Sequence, residues 1–406
     1  MKNILILTLA ALLLGGCSGP GPVDPVQPGD WRGVLTLPGG ELPFSLQLKQ
    51  DGTEWMAVLV NGDERVEVTD VTVNEQQMTL VLPAFNTRID ARRDGAGFSG
   101  TLTLVKRAGK QQHIPFVARP GEEYRFLRVQ PESYVDVDGR WAVTFREDDG
   151  SESEAIAEFE QTGNVVEGTF LTPTGDYRFL AGEVDGNQLY LSTFDGSHAF
   201  LFTAKLEGAQ LQGDFWSGTA WHESFVARRD ANAALPDADE LTQLVDEQFT
   251  FSFPDTDGNM VSLDDPQFDG KVVLVALAGS WCPNCHDEAA FLAPFYHQYR
   301  DQGLEIVGLM FEHLEDFSAA ATQVIAFRDK FDIGYTLLVA GSSDKQRAGE
   351  TMSMLDRVYA FPTSVFIDRN GNVRRIHTGF NGPGTGRHYD QLVAGFTETI
   401  EQLLAE

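Results

Sequence analysis

The sequence predicts a multidomain chain: a duplicated all-β region of two antiparallel meanders, each a barrel or sandwich, followed by a C-terminal α/β domain. Three observations carry this. Fragments recur at a nearly constant offset: Phe116-Val117-Ala118-Arg119 returns as Phe225-Val226-Ala227-Arg228, and Gln77-Met78-Thr79-Leu80 as Gln188-Leu189-Tyr190-Leu191. Apolar and polar residues alternate through 44–49 and 78–82, the period of a half-buried strand. Beyond residue 249 the pattern changes. A continuous aliphatic run at 272–277 reads as a strand buried on both faces, and 288–299 places Phe291, Leu292, Phe295, Tyr296 and Tyr299 at helical spacings.

Taken in order, the chain opens with a targeting segment, 1–17. Lys2 supplies the positive start and 4–14 the apolar core, too short to span a bilayer. Leu14-Gly15-Gly16-Cys17 resembles a bacterial lipobox. That resemblance implies lipidation of Cys17 and a membrane attachment through the N-terminal lipid. Ser18 after the cysteine implies the outer membrane, and a periplasm-facing place in the cell envelope where disulfides persist. An ordinary cleaved signal with an incidental cysteine is the plainer alternative. Residues 18–29 are a Pro/Gly tether, unable to bury a core.

The first β repeat is expected at 30–119, a linker at 120–134 and the second repeat at 135–228. Both copies open with Gly-x-Trp, at Trp31 and Trp141, and Ala91, Gly95, Ala96 and Gly100 match Ala204, Gly208, Ala209 and Gly213. Each copy has room for seven or eight short strands, with Trp31 and Trp141 as core aromatics. No nucleophile–base pair or metal-ligand spacing stands out there, so the β region reads as a spacer or docking module. Residues 229–248 form the expected linker, and 249–406 the α/β domain, entered through a hairpin over 249–253 and 260–263.

Composition bounds the partners. The 406 residues suit two or three domains, 42% hydrophobic content supports real cores, and a formal net charge of −30 argues against nucleic acid as a partner.

The chemistry concentrates at Trp281-Cys282-Pro283-Asn284-Cys285-His286, between the aliphatic strand and the helix. Unpaired N–H groups at a helix start favour an anion on the first sulfur, so Cys282 is the expected nucleophile with a lowered pKa. Cys285, one turn further in, is expected to stay a thiol until it resolves the mixed disulfide. Pro283 suits the first turn, where a missing N–H costs nothing. Cys-x-x-Cys-His is also the c-type haem attachment pattern, against which stands the strand-and-helix setting. Zinc would need a second ligand pair, and no cysteine is left for it. A plain stabilising disulfide is the bland alternative.

The C-terminal stretch resembles TlpA/ResA-like thioredoxin-fold proteins. The resemblance rests on 250–255, 261–263, 270–274, Trp281-Cys282-x-x-Cys285-x-x-Glu288, and the string 361–371 beginning Phe361-Pro362-Thr363. It implies a Cys282–Cys285 redox disulfide, a cis proline at Pro362 facing it, and a substrate-binding face made by Trp281, Phe361, Pro362 and Thr363. Phe361 would present an aromatic surface to a peptide pairing beside Pro362. Two departures matter: Ala276 replaces the buried acid of thioredoxin itself, and Ala290 a common proline. Glu288, three residues beyond Cys285 on the same helix face, becomes the candidate acid/base; complementing the helix dipole is its alternative role. His286 either tunes Cys285 or is a solvated helix-face histidine.

Three functions compete. The first is a lipid-anchored thiol–disulfide oxidoreductase that needs no cofactor, acts on protein disulfides and is recharged by an electron-donor protein. The family resemblance favours the reducing direction, including cytochrome c biogenesis, although an outer-membrane site weakens that use. The second is a thiol peroxidase, disfavoured because Gly279-Ser280-Trp281 precedes Cys282 where peroxiredoxins carry a Thr-x-x-Cys pattern. The third is a binding or assembly lipoprotein whose β repeats recognise a partner and whose dithiol is accessory.

Overall fold

The computed structural model describes residues 25–68 and 70–406. The lipobox and Cys17 lie outside the described residues.

The two β copies are closed eight-stranded meanders. In the first, Gly29–Leu37 pairs antiparallel with both Gly40–Asp51 and Gln111–Pro120. At the other end of the meander, Glu64–Val68 pairs with Glu54–Asn61 while its continuation, Asp70–Val73, pairs with Gln77–Leu82. These two strands, close in sequence, thus form the two ends of a sheet that continues through Thr87–Asp94 and Gly97–Val105. In the second copy, Glu152–Thr162 pairs with both Gly139–Glu147 and Val165–Thr172, and Gly139–Glu147 also pairs with Trp221–Arg229. Closure leaves no free sheet edge to pair with another chain.

The repeated residues have repeated jobs. Trp31 and Trp141 are 3% and 1% exposed, and each indole N–H donates to the carbonyl four residues earlier, Gln27 and Val137. The recurring Ala–Gly pairs are cross-strand neighbours, Ala91 with Gly100 and Ala204 with Gly213. A Cβ on Gly100 would lie 2.0 Å from the Asp90 carbonyl, and one on Gly213 2.2 Å from that of Thr203, so neither position tolerates a side chain. Side chains fill both interiors. The second is built on rings, with Phe202 stacked on Phe170 and Phe215 at centroid distances of 4.6 and 4.4 Å. The first is mostly aliphatic around Phe44, Phe98 and Phe116.

The C-terminal domain is a five-stranded mixed sheet flanked by helices. Its elements are β1 (Val272–Ala278), α1 (Pro283–Tyr299), β2 (Leu304–Glu312), α2 (Phe317–Phe331), β3 (Thr336–Ser342), α3 (Lys345–Thr351), β4 (Thr363–Ile367), β5 (Val373–Thr378) and α4 (Arg387–Ala405). The sheet order is β3-β2-β1-β4-β5, with β1, β2 and β3 parallel and β4 and β5 antiparallel to their neighbours. All seven residues of β1 are buried, as its uninterrupted aliphatic run requires for a central strand covered on both faces.

Two connecting stretches are more ordered than their composition suggests. Within 229–248, Asp239 accepts from Arg375 and contacts His377, and Val245 donates to the Met354 carbonyl, so the segment is fastened to the α/β domain. Within 120–134, Arg125 is inserted between the barrels, reaching Ser192 of the second and Asn61 of the first. Loops from both barrels also meet the β1–α1 junction, which is where the chemistry lies.

Candidate active site

The β1–α1 junction sets Cys282 as the N-cap of α1. Its sulfur accepts the Cys285 N–H at 3.3 Å, one of the donors a helix start leaves unpaired. The Cys282 thiol faces the Phe361 carbonyl at 3.5 Å, and the Phe361–Pro362 peptide is cis. The two cysteines are free thiols, 4% and 1% exposed. Burial pushes the Cys285 pKa well above its ordinary value, and the hydrogen bond to Cys282 and the charges at Cys282 and Glu288 push it the same way. One sulfur meets a backbone donor at a helix start, while the other is kept protonated inside. Such a pair can perform thiol–disulfide exchange.

Glu288 lies one turn beyond Cys285 and is 2% exposed. Burial raises its pKa to about 7, against the stabilising Ser364 hydroxyl, which donates to Oε1 at 2.5 Å. Ser364 is the cross-strand partner of Ala276. An acid is therefore delivered from α1 to the neighbourhood in which the strand itself carries only Ala276. A carboxyl that titrates near neutrality can take a proton from a thiol and return it.

His286 corrects one expectation for it: at 4% exposed it is no solvated side chain. Its Nε2 contacts the Ser280 carbonyl at 2.6 Å, Lys330 Nζ contacts Nδ1 at 3.1 Å, and Phe85 of the first barrel stacks on the ring at 4.0 Å. Burial, then the Lys330 charge, depresses its pKa well below the ordinary value. Neutral His286 with the proton on Nε2 satisfies both contacts.

Glu312 was not singled out by sequence. It ends β2, is 1% exposed, and accepts from the Ser280 N–H at 2.9 Å and the Ser280 hydroxyl at 2.7 Å. Burial raises its pKa to about 7. Glu312 and His286 thus hold the two sides of Ser280, two residues before the first cysteine. A carboxylate directly after the apolar run 306–311 was the available signal, since burying one is costly without such donors.

The residues expected to meet substrate are less open than anticipated. Phe361 does not present a free aromatic face: it is 6% exposed, packed against Phe311 and edge-on to Trp281. Thr363 is fully buried and its hydroxyl donates to the Ala360 carbonyl. Trp281 is half-buried, stacked on His313 at 4.4 Å, with its indole N–H given to the Phe311 carbonyl.

The β barrels account for part of this burial. Asn284 Nδ2 donates to Asp176 of the second barrel at 3.0 Å, and Ser197 donates to the Trp281 carbonyl at 3.0 Å. Arg178 is wedged among Glu64 of the first barrel, Asp195 of its own and Asp287 of α1, and its guanidinium also faces the Pro283 carbonyl at 3.4 Å. Burial keeps the Asp287 pKa up at about 7 despite that neighbour. Nothing in the sequence marks Asp176 or Arg178, because a turn residue's long-range partner leaves no local pattern.

Residues 232–393 match the Redoxin family. The chain is 23% identical over 163 residues to the thiol-disulfide oxidoreductase ResA of Halalkalibacterium halodurans, covering 40% of this chain and 79% of that protein. It is 27% identical over 135 residues to ResA of Bacillus thuringiensis, covering 33% and 69%. Among solved structures, a thioredoxin-family thiol:disulfide interchange protein from Chlorobium tepidum aligns over 39% of this chain and 95% of its own, at 23% identity and a TM-score of 0.30. The C-terminal region of this chain is a Redoxin domain with a thioredoxin-like fold, and the relatives it resembles are named thiol-disulfide oxidoreductases.

Proposed function

We propose that Cys282 and Cys285 are the redox dithiol, working on protein disulfides in the reducing direction from a lipid anchor in the cell envelope. The observation that carries this reading is the position of the Cys282 sulfur, at the N-cap of α1 and 3.5 Å from the carbonyl that precedes cis-Pro362. Cys282, as thiolate, attacks one sulfur of the substrate disulfide; the substrate S–S bond breaks and the first substrate thiolate leaves, to be protonated. Cys285 gives its proton to the Glu288 carboxylate and attacks the Cys282 sulfur. The mixed disulfide breaks, the second substrate thiolate leaves, and the Cys282–Cys285 disulfide forms. Two electrons have moved to the substrate, and an external dithiol protein restores them.

The reading draws its direction from similarity to ResA and its location from the lipobox-like Leu14-Gly15-Gly16-Cys17. Among the described residues no helix is long and apolar enough to cross a membrane, so a lipid on Cys17 is the proposed attachment. Trp281, Phe361, Pro362 and Thr363 shape the site from the substrate side in this proposal, Phe361 and Thr363 from beneath the surface.

The test uses the full-length protein with dithiothreitol as electron source and a disulfide-linked peptide pair as substrate. Wild type is expected to separate the peptides catalytically, and Cys282→Ser to fall to the background rate. Equal rates in the two proteins would overturn the proposal.

A further inference from the structure

Resting on the dithiol reading above, we propose that residues 173–179 of the second barrel are a size filter on the dithiol. The filter admits small disulfides and disulfides on slender, extended or unfolded segments, and refuses those set in the face of a folded protein.

A dithiol at a strand–helix junction is approached across the rim around it. Here that rim is Trp281, Asn284, the cis-Pro362 strand start and the turn after β5. One side is taken by the chain itself. A single oxygen of Asp176 receives both Asn284 Nδ2, at 3.0 Å, and the Gly382 N–H, at 2.7 Å, tying the active-site helix and the turn after β5 to the barrel. Ser197 adds a second tie at the Trp281 carbonyl. Backbone packs directly on backbone here. A Cβ on Gly175 would sit 2.9 Å from the Asn284 side chain, and one on Gly379 3.2 Å from Thr174. Gly379 in turn donates to the Pro362 carbonyl. The wall therefore stands against both Asn284 and the cis-proline segment, and Asn284, between the cysteines, is only 9% exposed.

Beyond the wall, the cis-proline segment sets the Phe361 carbonyl 3.5 Å from the Cys282 sulfur. A chain lying along that segment needs only the width of an extended strand. A folded surface would have to displace 173–179.

The wall is specific to the second copy. The third and fourth strands of the first barrel are joined by residues 62–63, between Asn61 and Glu64, whereas 173–179 join the same strands of the second, between Thr172 and Leu180.

The experiment compares two reagents of one chemistry on the reduced full-length protein, N-ethylmaleimide and a maleimide joined through a short linker to a small folded protein. Modification of Cys282 is located by peptide mass spectrometry. Wild type is expected to favour the small reagent by at least about tenfold beyond the ratio seen with a free cysteine peptide. Asp176→Ala combined with Ser197→Ala is expected to bring that ratio to within about threefold of the free peptide's. If that variant does not fold, Asp176→Ala alone, which leaves Arg178 in place, makes the same test. A wild-type protein that takes both reagents alike, one whose Cys282 takes neither, or a preference that survives in the folded variant would overturn the filter. Peptide-pair turnover on the same samples keeps the outcomes apart: loss of Cys282-dependent turnover sinks the dithiol reading, whereas turnover with an unchanged preference sinks only the filter.

Discussion

The two barrels share a strand plan and differ in what they bring to the dithiol. The loop joining the fifth and sixth strands reaches the same junction in each copy. In the first it delivers Phe85, stacked on His286, and in the second Ser197, bonded to the Trp281 carbonyl. The loop joining the third and fourth strands has diverged further. In the first barrel it is a two-residue turn, after which Glu64 opens the next strand; in the second it is a seven-residue excursion carrying Asp176 and Arg178. Duplication supplied two similar frames, and the difference in loops places one copy beside the helix flank and the other beside the cysteines.

That comparison makes unequal effects the expectation where the copies differ and equal effects where they match. The largest effect is expected at Arg178. Replacing it with Ala leaves the buried Glu64, Asp195 and Asp287 without their shared cation and should cost about 3–5 kcal/mol of unfolding free energy at pH 8. Chemical denaturation of the full chain measures it, and a cost under about 1 kcal/mol would break the claim that the second copy holds the assembly together.

Within the α/β domain, Glu288 and Glu312 offer a matched pair. Both have pKa values raised to about 7 from an ordinary 4.5 by burial. Below that ordinary value both folded and unfolded chains are protonated. Between it and neutrality the unfolded chain ionises first, so stability falls as pH rises through that window and stays low above it. Glu288→Gln and Glu312→Gln should each recover up to about 3 kcal/mol at pH 8 and flatten the fall. Only Glu288→Gln should also slow release of the second substrate thiol, by about a hundredfold, in single-turnover experiments. Equal slowing by both variants would reduce Glu288 to a structural acid.

Phe85→Ala should cost about 2 kcal/mol by opening space beside His286 and removing the stack, with little change in Cys282 reactivity. The smallest effects test the likeness of the copies. Trp31→Phe and Trp141→Phe each remove one indole hydrogen bond, and both should cost about 1 kcal/mol in the same chemical-denaturation assay.

Much of the architecture was legible in the sequence for physical reasons. An aliphatic run seven residues long has few places to go but the middle of a parallel sheet, and recurring Ala–Gly pairs mark strands that approach too closely for a side chain. Asp316 caps α2 where apolar periodicity starts. The helix before the cis proline is short, Lys345–Thr351, capped by Asp344; the chain then turns irregularly toward Pro362. What stayed hidden was the wall. The insertion at 173–179 is offset by a shorter following strand, Leu180–Asp185, where the first copy has two strands, Glu64–Val68 and Asp70–Val73. Matches on either side keep nearly the same spacing, so the repeat looked regular across its most divergent loop. Asp176 and Arg178 were illegible for a related reason: their distant partners lie on other domains, and local periodicity carries no record of them.

The account depends most on Cys282 being the attacking sulfur and Cys285 the one that resolves. Trapping tests this most directly: full-length Cys285→Ser and Cys282→Ser are each mixed with the disulfide-linked peptide pair, and the covalent adduct is read by mass spectrometry. The account predicts a lasting peptide adduct on Cys282 in the first variant and none on Cys285 in the second. An adduct forming at least as fast on Cys285, or no adduct in either protein, would contradict it.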